Sequence, residues 1–152
     1  MSNFYFIMSK QTGEVIDVQG AIPTPGTPLI AYTRKDTGTD NQLWMLEPSS
    51  TPGYFFIKSK QTGEVIDVKD ANPAPGTPLI AYPQKPSGTD NQLWQLVPSS
   101  IVGYYFIRSK MQTGFVIDVK DANPTPGAPL IAYPQKSSGT DNQLWQLVTV
   151  LS

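Results

Sequence analysis

The stretch Asp40-Asn41-Gln42-Leu43-Trp44 returns at residues 90–94 and again at 141–145, and its tryptophans are the only three in the chain. They stand 50 and 51 residues apart. The same landmarks precede each copy in the same order: Thr-Gly, Val-Ile-Asp-Val, Pro-Gly, Pro-Leu-Ile-Ala-Tyr, then Gly-Thr and the pentapeptide. Whatever one unit folds into must therefore be built three times and must bury its apolar face against its own copies. The units span residues 3–48, 53–98 and 103–151 within one expected domain, 1–152. The joints, residues 49–52 and 99–102, are too short to act as flexible linkers.

Each unit reads as four short strands. In the second, Tyr54 to Lys58 is rich in aromatic and β-branched residues and forms the first. Thr62-Gly63 then turns the chain into Val65-Ile66-Asp67-Val68. A loop with Pro73, Pro75 and Pro78 excludes helix before the third strand, Leu79 to Tyr82. The fourth is expected from Gln92 to Leu96. Met111 is the one insertion, placed in a turn that absorbs it cheaply. Alternation sends Ile66 and Val68 to one side and Asp67 to the other. The expected core takes Ile7, Ile57, Ile107, the Ile/Val pairs around each Asp, Leu29, Leu79, Leu130 and the tryptophans. Asp17, Asp67 and Asp118 are expected at the outer surface, and Glu14 and Glu64 on a solvated one. Three blades are too few for a propeller, and a solenoid would show atypical end repeats. Closure around a threefold axis leaves few exposed strand edges. The expected fold is all-β, a β-trefoil of three four-stranded repeats, with a jelly roll or other sandwich as the weaker alternative.

Composition removes several functions. No cysteine or histidine is present, which excludes disulfides, thiolate nucleophiles, Cys/His zinc sites and imidazole-dependent triads. A net charge of −1 without a basic run gives neither nucleic acid nor an anionic membrane surface anything to neutralise. No stretch approaches a membrane helix in length, and the first residues lack the basic region and apolar run of a signal peptide. A soluble protein, cytoplasmic or non-classically secreted, is expected, with no cofactor.

The Gln-Leu-Trp of each repeat, at Gln42, Gln92 and Gln143, resembles the Gln-any-Trp signature of ricin B-type β-trefoil lectins. The spacing carries the resemblance further. In every repeat the strand-two Asp precedes a Tyr by 15 residues, and that Tyr precedes an Asn by 9. The resemblance implies up to three equivalent carbohydrate sites: Asp17, Tyr32 and Asn41; Asp67, Tyr82 and Asn91; Asp118, Tyr133 and Asn142. It also implies that Gln42, Gln92 and Gln143 bond to the Asp from behind, and that the backbone of Gln19, Lys69 and Lys120 touches the sugar. The platform is Tyr where well-known members carry Trp, and the family's usual cysteines are absent.

The residue types suit a pyranose. An ionised Asp accepts from two neighbouring hydroxyls, Asn both donates and accepts, and an aromatic ring offers its negative face to the sugar's C–H patch. The expected function is a non-enzymatic, multivalent lectin, an agglutinin for galactose- or GalNAc-bearing glycans, with oligomerisation left open. A glycoside hydrolase needs two carboxyl groups across the scissile bond, and only repeats two and three offer a second, Asp70 and Asp121. A protein-binding trefoil or protease inhibitor needs one exposed loop and gives no reason for Asp, Tyr and Asn in every repeat. Repeat one has Gly20 where the others have Asp. Asp70 and Asp121 are expected to order their loops by Asx-type bonds, leaving site one the weakest.

Overall fold

The computed structural model describes residues 3–150; the ends of the expected domain, residues 1, 2, 151 and 152, including the last residue of repeat three, lie outside them. Each repeat contributes four strands: β1 (Tyr5–Ser9), β2 (Val15–Val18), β3 (Thr27–Tyr32) and β4 (Trp44–Pro48); β5 (Phe55–Ser59), β6 (Val65–Val68), β7 (Thr77–Tyr82) and β8 (Trp94–Pro98); β9 (Tyr105–Ser109), β10 (Phe115–Val119), β11 (Ala128–Pro134) and β12 (Trp145–Thr149). All pairings are antiparallel.

First and fourth strands close a six-membered ring, β1–β4–β5–β8–β9–β12 and back to β1. The joints between repeats are thus tight hairpins inside the barrel wall, and Ser49 Oγ braces one by donating to the carbonyl of Tyr54 at 2.7 Å. Second and third strands form three hairpins, and β3, β7 and β11 meet pairwise at the axis to cap the barrel. This is the β-trefoil. The Asp of each pentapeptide meets a Lys of the following repeat: Lys60–Asp40, Lys110–Asp90 and Lys10–Asp141, at 3.1, 3.1 and 3.3 Å. These pairs are exposed, so each adds little to stability.

Alternation places the core as expected. Ile7, Ile57, Ile107, the Ile/Val pairs of β2, β6 and β10, the three leucines and the three tryptophans form one cluster drawn from all repeats. Smaller clusters sit under each first hairpin, such as Phe56, Val65 and Leu93.

Several boundaries differ from expectation. The first strand of repeat two runs Phe55–Ser59, and the third begins at Thr77, so Pro78 lies at its start, where a missing N–H is tolerated. The fourth begins only at Trp94, because Asp90–Gln92 is a 3-10 turn closed by Gln92 N donating to Thr89 O at 2.7 Å. Glu14 and Glu64 are buried, 7% exposed, each accepting from a nearby threonine hydroxyl, and burial pushes their carboxyls up. Alternation accounts for this: each glutamate stands two residues before the inward isoleucine, Ile16 or Ile66, and so faces the core side of the hairpin. Repeat three has Phe115 at that position, and Met111 takes the place of Gln61 with its N–H on Ser109 Oγ. Both pack against the core, so the insertion adds apolar contact as well as being absorbed.

Candidate functional site

The β2–β3 hairpin puts Asp17 opposite Ile30 and Val15 opposite Tyr32, so Asp17, Ile30 and Tyr32 share the face turned away from the core. The chain then returns through the 3-10 turn Asp40–Gln42 and is stitched to β2 in reverse order. Asn41 Nδ2 donates to Val18 O at 3.0 Å, Gln42 Nε2 to Asp17 Oδ2 at 2.8 Å, and Trp44 Nε1 to Ile16 O at 2.9 Å. Repeats two and three reproduce the three bonds within about 0.1 Å. The spacing of the pentapeptide is the spacing of this clamp. Leu43 makes no hydrogen bond in this clamp and packs with Phe6 and with Val15 of β2 in a small apolar cluster.

The clamp builds a pocket in each repeat, here sites one, two and three. Site two is lined by Asp67, Asp70, Ala71, Ile80, Tyr82, Lys85 and Asn91. Asp118, Tyr133 and Asn142 meet likewise in site three, and Asp17, Tyr32 and Asn41 in site one. The tyrosine rings stand 41–42% exposed as open platforms. The aspartates do not lie at the outer surface as expected: each is only 3% exposed. Alternation does point them away from the core, but the tyrosine, the isoleucine and the turn after β2 wall them in.

Burial is the largest influence on these carboxyls and pushes them above the ordinary 3.8. The bond from the glutamine and the nearby lysine oppose it without overcoming it. Asp70 and Asp121 add a further upward push in sites two and three.

Gln42 is fully committed. Its second N–H goes to Thr33 O at 3.0 Å and its oxygen accepts from Lys35 N at 3.0 Å, and the residue is fully buried. It holds Asp17 from behind and presents Oδ1 to the pocket. The lysines were not anticipated. Lys35, Lys85 and Lys136 line the pockets, with Nζ 2.6, 2.5 and 2.6 Å from the asparagine Oδ1. A signal existed: each lies three residues after the platform tyrosine.

The turn after β2 departs from expectation. Gln19 lines site one, but Asp70 and Ala71 line site two, and Asp121 and Ala122 site three, in place of Lys69 and Lys120. Asp70 and Asp121 do not make the expected Asx-type bonds among the described residues. Asn72 and Asn123 do, accepting from Ala74 N and Thr125 N at 3.0 Å. Asp70 and Ala71 instead hold φ of 57° and 50°, a left-handed pair that costs energy in non-glycine residues. A neighbouring repeat steadies two of these turns: Gln61 Nε2 donates to Ala21 O at 2.7 Å and Gln11 Nε2 to Ala122 O at 2.6 Å. Met111, in the third such position, has no amide to offer Ala71.

Three antiparallel hairpins capping a six-stranded barrel, each with one polar pocket beside an open tyrosine, define a β-trefoil of the lectin-like class. The ricin-type beta-trefoil lectin domain-like family matches residues 1–82 and 85–151, and the chain belongs to that family. Nothing among curated proteins matches it. The designed threefold-symmetric protein ThreeFoil is similar over 97% of this chain and 99% of its own, with 34% identity and a TM-score of 0.85. The exo-β-1,3-galactanase 1,3Gal43A of Clostridium thermocellum is similar over 97% of this chain but only 30% of its own, with 30% identity and a TM-score of 0.86. The Macrolepiota procera ricin B-like lectin, solved in complex with lactose, shares the fold at 22% identity and a TM-score of 0.77, over 95% of this chain and 94% of its own.

Proposed function

We propose that the chain is a non-enzymatic lectin, one domain over residues 1–152, that binds galactose- or GalNAc-bearing glycans in three pockets. The observation that carries this reading is the threefold recurrence of one polar set, Asp, Asn and Lys beside an exposed Tyr, on one backbone clamp. In each site the free carboxylate oxygen accepts from sugar hydroxyls, the lysine and asparagine supply donors at a second point, and the tyrosine face takes the C–H patch. Lactose bound by a family member of the same fold supports a galactoside. The galactanase likeness ends with the 30% of that enzyme that resembles this chain. Asp67 and Asp70 do share a pocket, but they stand three positions apart on one stretch of chain, not on two sides of a bond to be cleaved.

The test is isothermal titration with lactose and N-acetylgalactosamine, after a glycan array. The expected result is three weak sites, because a shallow pocket makes few contacts. Sites two and three should be nearly alike and site one weaker for a monosaccharide, its cavity being wider, about 360 against 240 and 280 Å³. On a glycan-dense surface, joint engagement should raise avidity by about 10²–10⁴. Absence of heat and of array signal for every galactoside would overturn the reading.

Acid should separate binding from folding. Because burial raises the carboxyls of Asp17, Asp67 and Asp118, the folded chain takes up these protons before the unfolded chain does. Their contribution to stability is then full below the unfolded pKa and is lost as pH rises through the folded value. Glu14 and Glu64 act in the same direction. Sugar binding has the opposite sign, since the ionised form is the acceptor. Lactose affinity is therefore expected to fall on acidification through the raised pKa while the melting temperature holds. Binding that disappears only together with the fold would contradict this.

A further inference from the structure

The three pockets share a backbone but not a chemistry. Gly20, Asp70 and Asp121 occupy one position with φ of 65°, 57° and 57°, so the difference among them lies in the side chain alone. In site one that side chain is missing, and the cavity widens to about 360 Å³ and reaches Gly127, on the loop of repeat three. A Cβ at Gly20 would meet only the Ile22 side chain, at 3.4 Å, so an aspartate could be accommodated there. Its absence also changes the charge. The lining of site one holds one carboxylate, Asp17, and one ammonium, Lys35, whereas sites two and three each hold two carboxylates and one ammonium. The second carboxylate is close enough to act on the first: Asp70 pushes Asp67 further up, and Asp121 does the same to Asp118.

We infer that site one, opened at Gly20, takes galactosides extended by a carboxylate-bearing sugar, and that Asp70 and Asp121 turn such glycans away from sites two and three. The inference rests on the lectin reading above and adds to it a division of labour among the sites. The acidic group would lie in the extra space between Gly20 and Gly127, where no second carboxylate opposes it. In sites two and three the same extension meets a filled volume and a like charge. Repulsion between unit charges several ångströms apart in a half-wet pocket weakens binding on the order of fivefold, and lost space adds to that.

The experiment is a residue-resolved NMR titration of the full chain, following Tyr32, Tyr82 and Tyr133 with lactose and with 6′-sialyllactose. Lactose is expected to shift all three tyrosines. Sialyllactose should saturate Tyr32 at a concentration at least about fivefold lower than Tyr82 or Tyr133. Gly20→Asp should abolish that preference. Asp70→Gly should give site two the behaviour of site one, and Asp70→Asn, which keeps the volume and removes the charge, should move it part of the way. Spectral dispersion checks that each variant is folded. If sialyllactose binds all three sites with one constant, or if neither Asp70 variant gains it, the inference is overturned and the lectin reading stands. If lactose shifts no tyrosine, the lectin reading fails and this inference with it.

Discussion

Replacing Trp94 by alanine is expected to destabilise the protein by about 3–5 kcal/mol. The indole is 1% exposed and sits in the central cluster with side chains from all three repeats. Its removal leaves a cavity that neighbours on three strands cannot all close. Its Nε1 also donates to Ile66 O at 3.0 Å, and that buried carbonyl would lose its partner. A domain of this kind holds about 5–15 kcal/mol in reserve, so the loss is a large share of it. The denaturant midpoint should fall with the slope unchanged. Because Trp94 clamps β6, which carries Asp67, site two should lose lactose affinity in denaturant well below the global transition. A change under about 1.5 kcal/mol would mean that the repeated tryptophan is a signature without a structural role.

The repeat made the fold legible because its period, its alternation and its turn residues are all local properties of the chain. Ile66 and Val68 pointed inward, and the threefold count allowed one closed arrangement that buries every copy. The site was legible only in part. Asp67, Tyr82 and Asn91 are 15 and 9 residues apart, and the hairpin register brings Asp67 and Tyr82 onto one face, so fixed spacing is a fair guide. What alternation could not supply was what lies above an outward side chain. Asp67 points away from the core and is still buried, because a loop and a ring stand over it. Lys85 was missed because a lysine in a Pro-Gln-Lys loop reads as solvated surface, and only the three-dimensional turn brings it onto Asn91. Asp70 and Asn72 are both of residue types that form Asx turns, and only the backbone angles show that Asn72 makes the bond. The brace from Gln11 to Ala122 spans 111 residues, and no local pattern signals it.

Asp67→Asn is expected to weaken lactose at site two by roughly 10- to 150-fold, the equivalent of the 1.5–3 kcal/mol that a hydrogen bond to a charged group contributes. Asparagine keeps the shape of the side chain, and its oxygen can still accept from Gln92 Nε2, now 2.9 Å from Asp67 Oδ2. The pocket would then receive an amide that donates where the carboxylate accepted, and sugar hydroxyls lose their charged acceptor. Alanine is the poorer test. It would strand one N–H of a fully buried Gln92, and a fall in affinity could then come from a slackened clamp. Stability should hold or rise slightly in Asp67→Asn, because burial already disfavours the charge that the substitution removes. Sites one and three have their own carboxylates, so the calorimetric stoichiometry should drop from three to two with the remaining constants unchanged. Lower affinity at all three sites would mean that the pockets are coupled through the barrel. Three intact sites in a folded Asp67→Asn variant would place the sugar elsewhere on the trefoil.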